Sequence, residues 1–368
     1  MAVKKRAVIA SGGTGGHFYP GFALAVELRR RGWQTLFLVK KDDIARPALE
    51  EAGFPYAELD MTALPRSINP LAHVSFFMKL LRSLLLARRI MADFQPDAVI
   101  GTGSYVAFPA VLAARLAGVP SYVHESNAKF GLGNRLAATF CRQAALGLPI
   151  EDNPLAARSE LIGTPVRETF ASLPLKEAAR TAMGLEPDKF TVLVFGGSQG
   201  ARRLNAAFIK ALKDLKGDIQ AVHLAGRKNF EAVKAEYAKA GLAGLPGAKL
   251  MDYTEDMPAL YAAADLVIAR SGASTVAELA QLGMASILVP LPTSAAGHQK
   301  ANALTLCAAG AAVCLEESED FDAGLVAALR AFLEEPGKAA ALSENLKKAG
   351  IPPGLKAAAA FADLIEWK

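Results

Sequence analysis

The chain has little cysteine. Its three residues, Cys141, Cys307 and Cys314, form no Cys-x-x-Cys pair and sit among Ala, Leu and Val. No metal knuckle or disulfide framework is legible, and all three are expected to be small buried apolar side chains in a reducing compartment. Aromatic residues make up only 7% of the chain and no run of Lys/Arg is interleaved with them, which argues against a nucleic-acid-binding face. No uninterrupted apolar run reaches the ~18 residues of a membrane span. The run after Lys4, Lys5 and Arg6 ends too soon for the ~7–15-residue core of a secretory signal, so a cytoplasmic chain is expected. No Gly-Lys-Ser/Thr sequence is present to close a P-loop.

What is present is a chain of 368 residues, 52% hydrophobic and 21% charged. That length exceeds the ~250–300 residues at which single cores stop growing and implies two domains. Its net charge of +5 is unevenly spread, with 19 Lys/Arg against 13 Asp/Glu in residues 1–165. A mild one-sided excess of this kind suits an anionic membrane surface or anionic substrate.

Twice, a short apolar run ends in a glycine-rich turn that opens a helix: Ala7–Ser11 before Gly12-Gly13-Thr14-Gly15-Gly16-His17, and Val192–Phe195 before Gly196-Gly197-Ser198-Gln199-Gly200-Ala201. Such turns present free backbone N–H groups at the positive end of a helix, with no Cβ to hold a phosphate away. The first lacks the third glycine of the dinucleotide fingerprint, because Phe18 stands there. The second matches Gly-x-Ser-x-Gly, so a hydrolase with Ser198 as nucleophile is a rival, with His223 and His298 as available bases.

Apolar strands alternate with helices in both halves. In the first they are Ala7–Ser11, Thr35–Val39, Ala98–Gly101, Ser121–His124, Ala144–Leu148 and Leu161–Ile162, with helices at Gly21–Arg31 and Pro109–Ala117 among those between them. The pattern restarts with Thr191–Phe195, Ile219–Leu224, Lys249–Met251, Leu266–Ala269, Ser286–Pro290 and Ala312–Leu315. This is the signature of parallel sheets covered by helices, which bind ligands at the carboxyl ends of their strands. Polar glycine-containing segments fall at those ends: Gly101–Tyr105, His124–Asn127, Arg270–Thr275 and Pro292–Gln299. Glu278 is placed in the first turn of a helix after Ser274, where it would complement the dipole or reach a pair of ribose hydroxyls.

The two glycine turns, Pro20-Gly21, His124-Glu125-Ser126-Asn127, Gly163-Thr164-Pro165-Val166-Arg167 and Arg270-Ser271-Gly272-Ala273-Ser274-Thr275 with Glu278 together resemble the MurG family of N-acetylglucosaminyltransferases over roughly residues 6–315. The resemblance implies an α/β chain of GT-B fold: two Rossmann-like, doubly wound parallel-sheet domains facing an interdomain cleft. Residues 1–165 would be an acceptor and membrane-associating domain and 166–350 a UDP-GlcNAc-binding domain. Residues 351–368 would form a helix, Gly354–Trp367, returning to the first domain.

The implied activity is inverting transfer of GlcNAc from UDP-GlcNAc to the muramoyl 4-hydroxyl of lipid I, the undecaprenyl-diphosphate-linked muramoyl-pentapeptide, giving lipid II in peptidoglycan synthesis. A peripheral enzyme on the cytoplasmic side of the bacterial cell membrane follows, without metal or cofactor and with cell-wall synthesis proteins as further partners. Ser198 and the Gly197–Gln199 amides would hold the diphosphate with the helix start at Ala273, Ser274, Thr275, Val276 and Ala277. Glu278 would hold the ribose, backbone near Thr254 the uracil, Asn127 and Gln299 the sugar, and Arg167 would lie near the nucleotide. Thr14, Gly15 and Gly16 would line the acceptor side with His17, Tyr105 and Glu125 as catalytic residues. Ser126 departs from the commoner Gln, and Thr293–Gly297 is smaller and less polar than is usual for the family.

The acceptor hydroxyl must lose a proton as it attacks, and the diphosphate leaves as an anion. Helix N termini and amides suit the second task, and His17 the first, with Glu125 as the alternative base or as its orienter. The segment Leu71–Ile90 places Phe77, Leu81, Leu84 and Leu85 on one helical face and Lys79, Arg82 and Arg89 on another, with Arg88 outside that arrangement. It reads equally as an interfacial helix or as one packed on the core. A GT-B transferase acting on diacylglycerol is the nearest rival in function.

Overall fold

The structure, a computed structural model, describes residues 4–13, 15–65, 69–197, 201–215 and 217–366. The chain divides into two compact units, Met1–Arg167 with Pro352–Lys368, and Glu168–Ile351.

The first unit is built on seven strands: β1 (Arg6–Ala10), β2 (Gln34–Lys40), β3 (Tyr56–Leu59), β4 (Ala98–Gly101), β5 (Ser121–Glu125), β6 (Gln143–Leu146) and β7 (Ser159–Leu161). All pair in parallel, in the order β3-β2-β1-β4-β5-β6-β7. Strand alternation divides the core in two. Ile9, Phe37 and Ile100 pack beside Leu24 and Leu28 of α1 (Gly15–Arg30) and Leu49 of α2 (Arg46–Glu51). Val8, Leu38 and Val99 pack beside Met91 of α3 (Pro70–Phe94) and Ala110 of α4 (Ala107–Leu116), while Val111 and Val123 meet Ala137 of α5 (Leu132–Ala138).

Three local expectations fail for identifiable reasons. β3 is an edge strand whose Glu58 interrupts its apolar pattern, so only its register with β2, Phe37 opposite Tyr56, reveals it. α1 starts at Gly15 and carries Pro20 inside it. Pro20 lacks an N–H for the usual helical bond, but hydroxyls of Ser11 and Thr102 donate to the His17 carbonyl at 3.0 and 2.8 Å and support the irregular first turns. α3 is longer than expected and is apolar on two faces. Ser83, Ala87 and Met91 are buried and Phe76, Leu80, Leu84, Ile90 and Phe94 pack around them, whereas Leu71, Val74, Phe77, Leu81 and Leu85 are each at least half exposed. Leu84 therefore belongs to the core face and not with Phe77 and Leu81. By length and composition alone α3 would suffice to cross a bilayer, but its inner face is seated on the sheet.

The second unit repeats the plan with β8 (Thr191–Phe195), β9 (Gln220–Leu224), β10 (Ala248–Met251), β11 (Leu266–Ala269), β12 (Ser286–Leu288) and β13 (Val313–Cys314), in the parallel order β10-β9-β8-β11-β12-β13. Its helices are α6 (Lys176–Ala182), α7 (Arg202–Asp214), α8 (Phe230–Lys239), α9 (Met257–Ala263), α10 (Ala273–Leu282), α11 (His298–Ala308), α12 (Phe321–Glu334) and α13 (Lys338–Lys348). α14 (Gly354–Glu366) belongs to the first unit. Phe361, Ala362, Leu364 and Ile365 join the α1 core, Arg31 pairs with Asp363 and Glu366 at 2.6 and 2.8 Å, and the Trp33 indole donates to Glu366.

The cysteine expectation is half right. Cys141 is a buried thiol whose pKa burial pushes up to about 11. Cys307 and Cys314 are instead bonded to each other across the turn from α11 to β13. Their spacing of seven residues would suit two turns of one helix, but Cys307 lies on α11 and Cys314 on β13, so only the turn between them reveals the pairing.

Each unit buries one histidine. His124 contacts the Gly163 carbonyl through Nε2 at 3.1 Å and Ser126 Oγ through Nδ1 at 3.2 Å. His223 contacts Asn205 Oδ1 through Nε2 at 3.2 Å and the Tyr237 hydroxyl through Nδ1 at 2.9 Å. Burial disfavours the imidazolium, lowering His124 from its ordinary value and His223 to about 3. In the unfolded chain both take up protons below about pH 6.5. The unfolded state then binds more protons than the folded one, so stability is lost as pH falls. His223 alone should remove about 2 kcal/mol from the second unit between about pH 6.5 and 5, at ~1.4 kcal/mol per pH unit. Urea midpoints at pH 7, 6 and 5 check this, and a folded His223→Gln variant should show a shallower acid slope.

Candidate active site

In both sheets the strand order reverses direction beside the first strand, between β1 and β4 and between β8 and β11. Loops leaving the carboxyl ends of those strands flank the crevice where doubly wound sheets take ligands. In the first unit Ala10 lies opposite Gly101, so the glycine turn and the Thr102–Val106 loop are neighbours. Gly103, at φ +104°, is needed by His17: a Cβ there would lie 2.3 Å from His17 Nδ1. Tyr105, on the same loop, is 42% exposed. Gly15 and Gly16 form the start of α1, and Thr14 lies outside the described residues.

Asp43, which gave no signal in the sequence, holds this turn. Its carboxylate is buried and accepts the Gly13 N–H at 2.7 Å and the Ala45 N–H at 2.9 Å. Gly12 must be glycine for it to approach, since a Cβ would meet Asp43 Oδ2 at 2.6 Å. An amide that looked free for phosphate is thus taken by the protein's own carboxylate.

Glu125 ends β5 at 1% exposure. Oε1 accepts the Asn127 backbone N–H at 3.0 Å and Asn127 Nδ2 at 2.9 Å. Oε2 accepts the Gly131 N–H at 3.0 Å and Asn134 Nδ2 at 2.9 Å. Four N–H donors occupy the carboxylate, which fits an anchor for the loop carrying Asn127 better than a base awaiting a proton.

In the second unit α10 opens after Gly272 with no side-chain cap, leaving first-turn amides of Ala273, Ser274 and Thr275 as donors. Val276 and Ala277 are buried beneath them. Glu278 lies in the second turn, not the first as the sequence suggested, so it is poorly placed to complement the dipole. Its carboxylate is held instead by the Tyr261 hydroxyl, 2.8 Å from Oε2. Tyr261 is itself fixed by edge-on contacts with Phe170 and Phe195. Thr254 follows β10 and its Oγ1 accepts the Asp256 N–H at 3.0 Å. Gln299 is in the first turn of α11, with Oε1 on the Leu291 N–H at 2.9 Å and its carbonyl on Ser271 Oγ at 2.7 Å. Arg270, buried, ties these loops together through Glu317 at 2.6 Å and the carbonyls of Val289 and Pro290. Ser198 and Gln199 lie outside the described residues.

Tyr105, Glu125 and Asn127 thus gather with the α1 start at the carboxyl edge of the first sheet, and Gly197, Thr254, Ala273–Glu278 and Gln299 at that of the second. Arg167 is the last residue of the first unit's main segment. His223 is committed to Asn205 and Tyr237 inside the core and is no partner for a nucleophilic Ser198. The sequence does hold an Asp-x-Asp triplet, Asp320-Phe321-Asp322, but its second carboxylate is already engaged. Asp322 pairs with Arg203 and Lys210, each at 2.5 Å, and Phe321 is in the core. Among the described residues no cluster of three His, Cys, Asp or Glu is arranged to hold a metal ion.

Residues 7–146 match the glycosyltransferase family 28 N-terminal domain and residues 191–359 its C-terminal domain. A relative from Elusimicrobium minutum, named UDP-N-acetylglucosamine–N-acetylmuramyl-(pentapeptide) pyrophosphoryl-undecaprenol N-acetylglucosamine transferase, is 38% identical over 365 residues, 98% of this chain and 99% of that one. One of the same name from Halorhodospira halophila is 42% identical over 306 residues, 83% of this chain and 82% of that one. The crystal structure of Acinetobacter baumannii MurG aligns with a TM-score of 0.81 at 30% identity, covering 99% of this chain and 100% of that one. The calicheamicin glycosyltransferase CalG4, at 17% identity and TM-score 0.68 over 99% of this chain and 98% of that one, shares the fold.

Gly103→Ala should push the His17 ring from its place and force a left-handed backbone on alanine. A stability loss of about 1–3 kcal/mol is expected, together with displaced His17 ring-proton resonances in NMR spectra. Unmoved resonances in the folded variant would reject the contact.

Proposed function

The chain belongs to the MurG family of glycosyltransferase family 28, and we propose that it works through His17 on the acceptor side and Glu278 with the α10 amides on the donor side. It is a UDP-GlcNAc-dependent N-acetylglucosaminyltransferase of GT-B fold that makes lipid II from lipid I in peptidoglycan synthesis. The diacylglycerol and serine-hydrolase readings are set aside by that membership.

The observation that carries the assignment of roles is the contrast between the two switch points. The first turn is filled by Asp43 and presents His17 over Gly103, whereas α10 in the second opens uncapped beside a carboxylate held by Tyr261. In the reaction the muramoyl 4-hydroxyl oxygen bonds to the anomeric carbon as the bond to the diphosphate oxygen breaks. The hydroxyl proton passes to the His17 imidazole and the electron pair leaves with UDP. Amides of Ala273–Thr275, with Ser198, meet the charge growing on the β-phosphate. Glu278 accepts the ribose hydroxyls, the backbone at Thr254 meets the uracil, and Asn127 and Gln299 meet the sugar, with Arg167 near the nucleotide. Tyr105, Gly15 and Gly16 line the acceptor. Glu125 acts by holding Asn127, which leaves His17 as the base.

Membrane association belongs to the same reading. The exposed apolar row of α3, flanked by Arg82 and Arg89, suits a helix lying in the interface of an anionic membrane, and the lipid-linked acceptor gives it a purpose. Lys79 contributes less than the sequence suggests, because it pairs with Asp60 at 2.8 Å.

Incubation with labelled UDP-GlcNAc should label lipid I and leave diacylglycerol unlabelled. Loss of a general base typically costs ~10²–10⁴ in rate, so His17→Gln should lower kcat by about that factor with little change in donor affinity. Near-wild-type kcat would remove His17 from the role. On the donor side, Glu278→Ala should weaken UDP by about ten- to hundredfold and Tyr261→Phe by about three- to tenfold, from one lost charge-assisted hydrogen bond. Titration calorimetry reads both, and unchanged affinity in a folded Glu278→Ala variant would reject the ribose role.

A further inference from the structure

The disulfide between Cys307 and Cys314 joins the last turn of α11 to β13, the two-residue strand at the edge of the second sheet, and both cysteines are partly exposed. A bond between residues only seven apart restrains the unfolded chain less than a long-range one would, so what it holds in the folded unit matters more. Cys141, by contrast, is buried with a raised pKa and is closed to exchange.

What the bond holds is the frame of the donor loop. Upstream of Cys307, α11 grips Ser271 twice: Asn302 Nδ2 donates to the Ser271 carbonyl at 3.0 Å, and the Ser271 hydroxyl donates to the Gln299 carbonyl at 2.7 Å. Downstream of Cys314, Glu317 pairs with Arg270 at 2.6 Å, with both side chains nearly buried. Arg270 and Ser271 lead through Gly272 into the uncapped start of α10. The β13 ladder is short, Ile287 with Val313 and Leu288 with Cys314, and the disulfide ties the stretch that leads to Glu317 to the helix that carries Asn302 and Gln299.

We propose that Cys307 and Cys314 form a redox site that sets affinity for the nucleotide donor. Bonded, they hold Arg270 and Ser271 from both sides and keep the α10 amides in place for a diphosphate. Reduced, they free the β13 edge and loosen that frame. The reaction partner is a dithiol reductant. Its first thiolate attacks one sulfur of the bond, giving a mixed disulfide and releasing the other cysteine, which takes up a proton. Its second thiolate then displaces the attacked cysteine, which is protonated in turn. Two electrons and two protons have passed to Cys307 and Cys314, and the reductant leaves as a disulfide. The inference rests on the donor reading of α10 given above and adds its regulation.

The test titrates UDP calorimetrically into the full-length protein after treatment with glutathione disulfide and after reduction with dithiothreitol, with free thiols counted by alkylation and mass spectrometry. Reduction is expected to weaken UDP about fivefold or more. Cys307→Ser/Cys314→Ser should bind as the reduced form does and ignore dithiothreitol, while Cys141→Ser keeps the response. Linkage requires the reverse effect: in a fixed glutathione buffer, saturating UDP should raise the ratio of bonded to reduced pair by the same factor. A disulfide that served stability alone would not show that shift, and the wild type reports it even if the double variant folds poorly. Equal UDP affinity in the two forms overturns the proposal, as does a full set of free thiols after glutathione disulfide treatment. No UDP binding by either form defeats the donor reading, whereas equal and intact binding defeats the redox site alone.

Discussion

A buried charge persists only where hydrogen bonds replace the water it has lost, and the loops of this enzyme are arranged around side chains that meet that condition. Glu125 is saturated by four N–H donors. Asp43 accepts two backbone amides, one on either side of the β1 turn and the α2 approach. Arg270 gathers Glu317 and two carbonyls. Asp43 and Arg270 connect segments distant in sequence, and Glu125 closes the loop that follows its own strand, all at strands' carboxyl ends. Removing any of them would leave an unsatisfied group in the interior as well as loosening a loop, which makes site geometry and local stability hard to separate at these positions.

The two units share a topology and use it differently. The strand order reverses beside the first strand of each, and in the first unit Gly12 and Gly13 take the positive φ that the turn needs. In the first, however, Asp43 takes an amide that a phosphate would otherwise use, and the turn becomes a mount for His17 above Gly103. In the second, α10 begins without a side-chain cap, so its amides remain donors for an anionic ligand. Acid–base chemistry and charge stabilisation can thus be divided between two copies of one fold.

α3 shows how one helix meets two demands. Its inner face packs on the sheet through Ala87 and Met91, while Leu71, Val74, Phe77, Leu81 and Leu85 remain in solvent. The exposed row is too extensive to need no explanation, and the membrane association proposed for this helix is the explanation that its two faces suit.

Where a residue's role follows from neighbours along the chain, the sequence was sufficient. Ala98–Gly101, Thr191–Phe195 and Leu266–Ala269 are strands at the limits read from their apolar runs, because a strand buried on both faces reads as a near-continuous apolar run. The first glycine turn and the C-terminal helix were visible for similar reasons, as local backbone demands or apolar periodicity. Tertiary structure alone decided the rest. Asp43, Tyr261 and Arg270 act on partners far away in sequence, so nothing beside them announces their use. Glu125 read as an alternative base or as the orienter of His17, and its four donors come together only in the folded loop; Cys307 and Cys314 read as thiols until a turn brought them together. Periodicity records which side of an element faces the core, but a hydrogen bond between elements depends on how they pack, and that leaves no periodic trace in the chain.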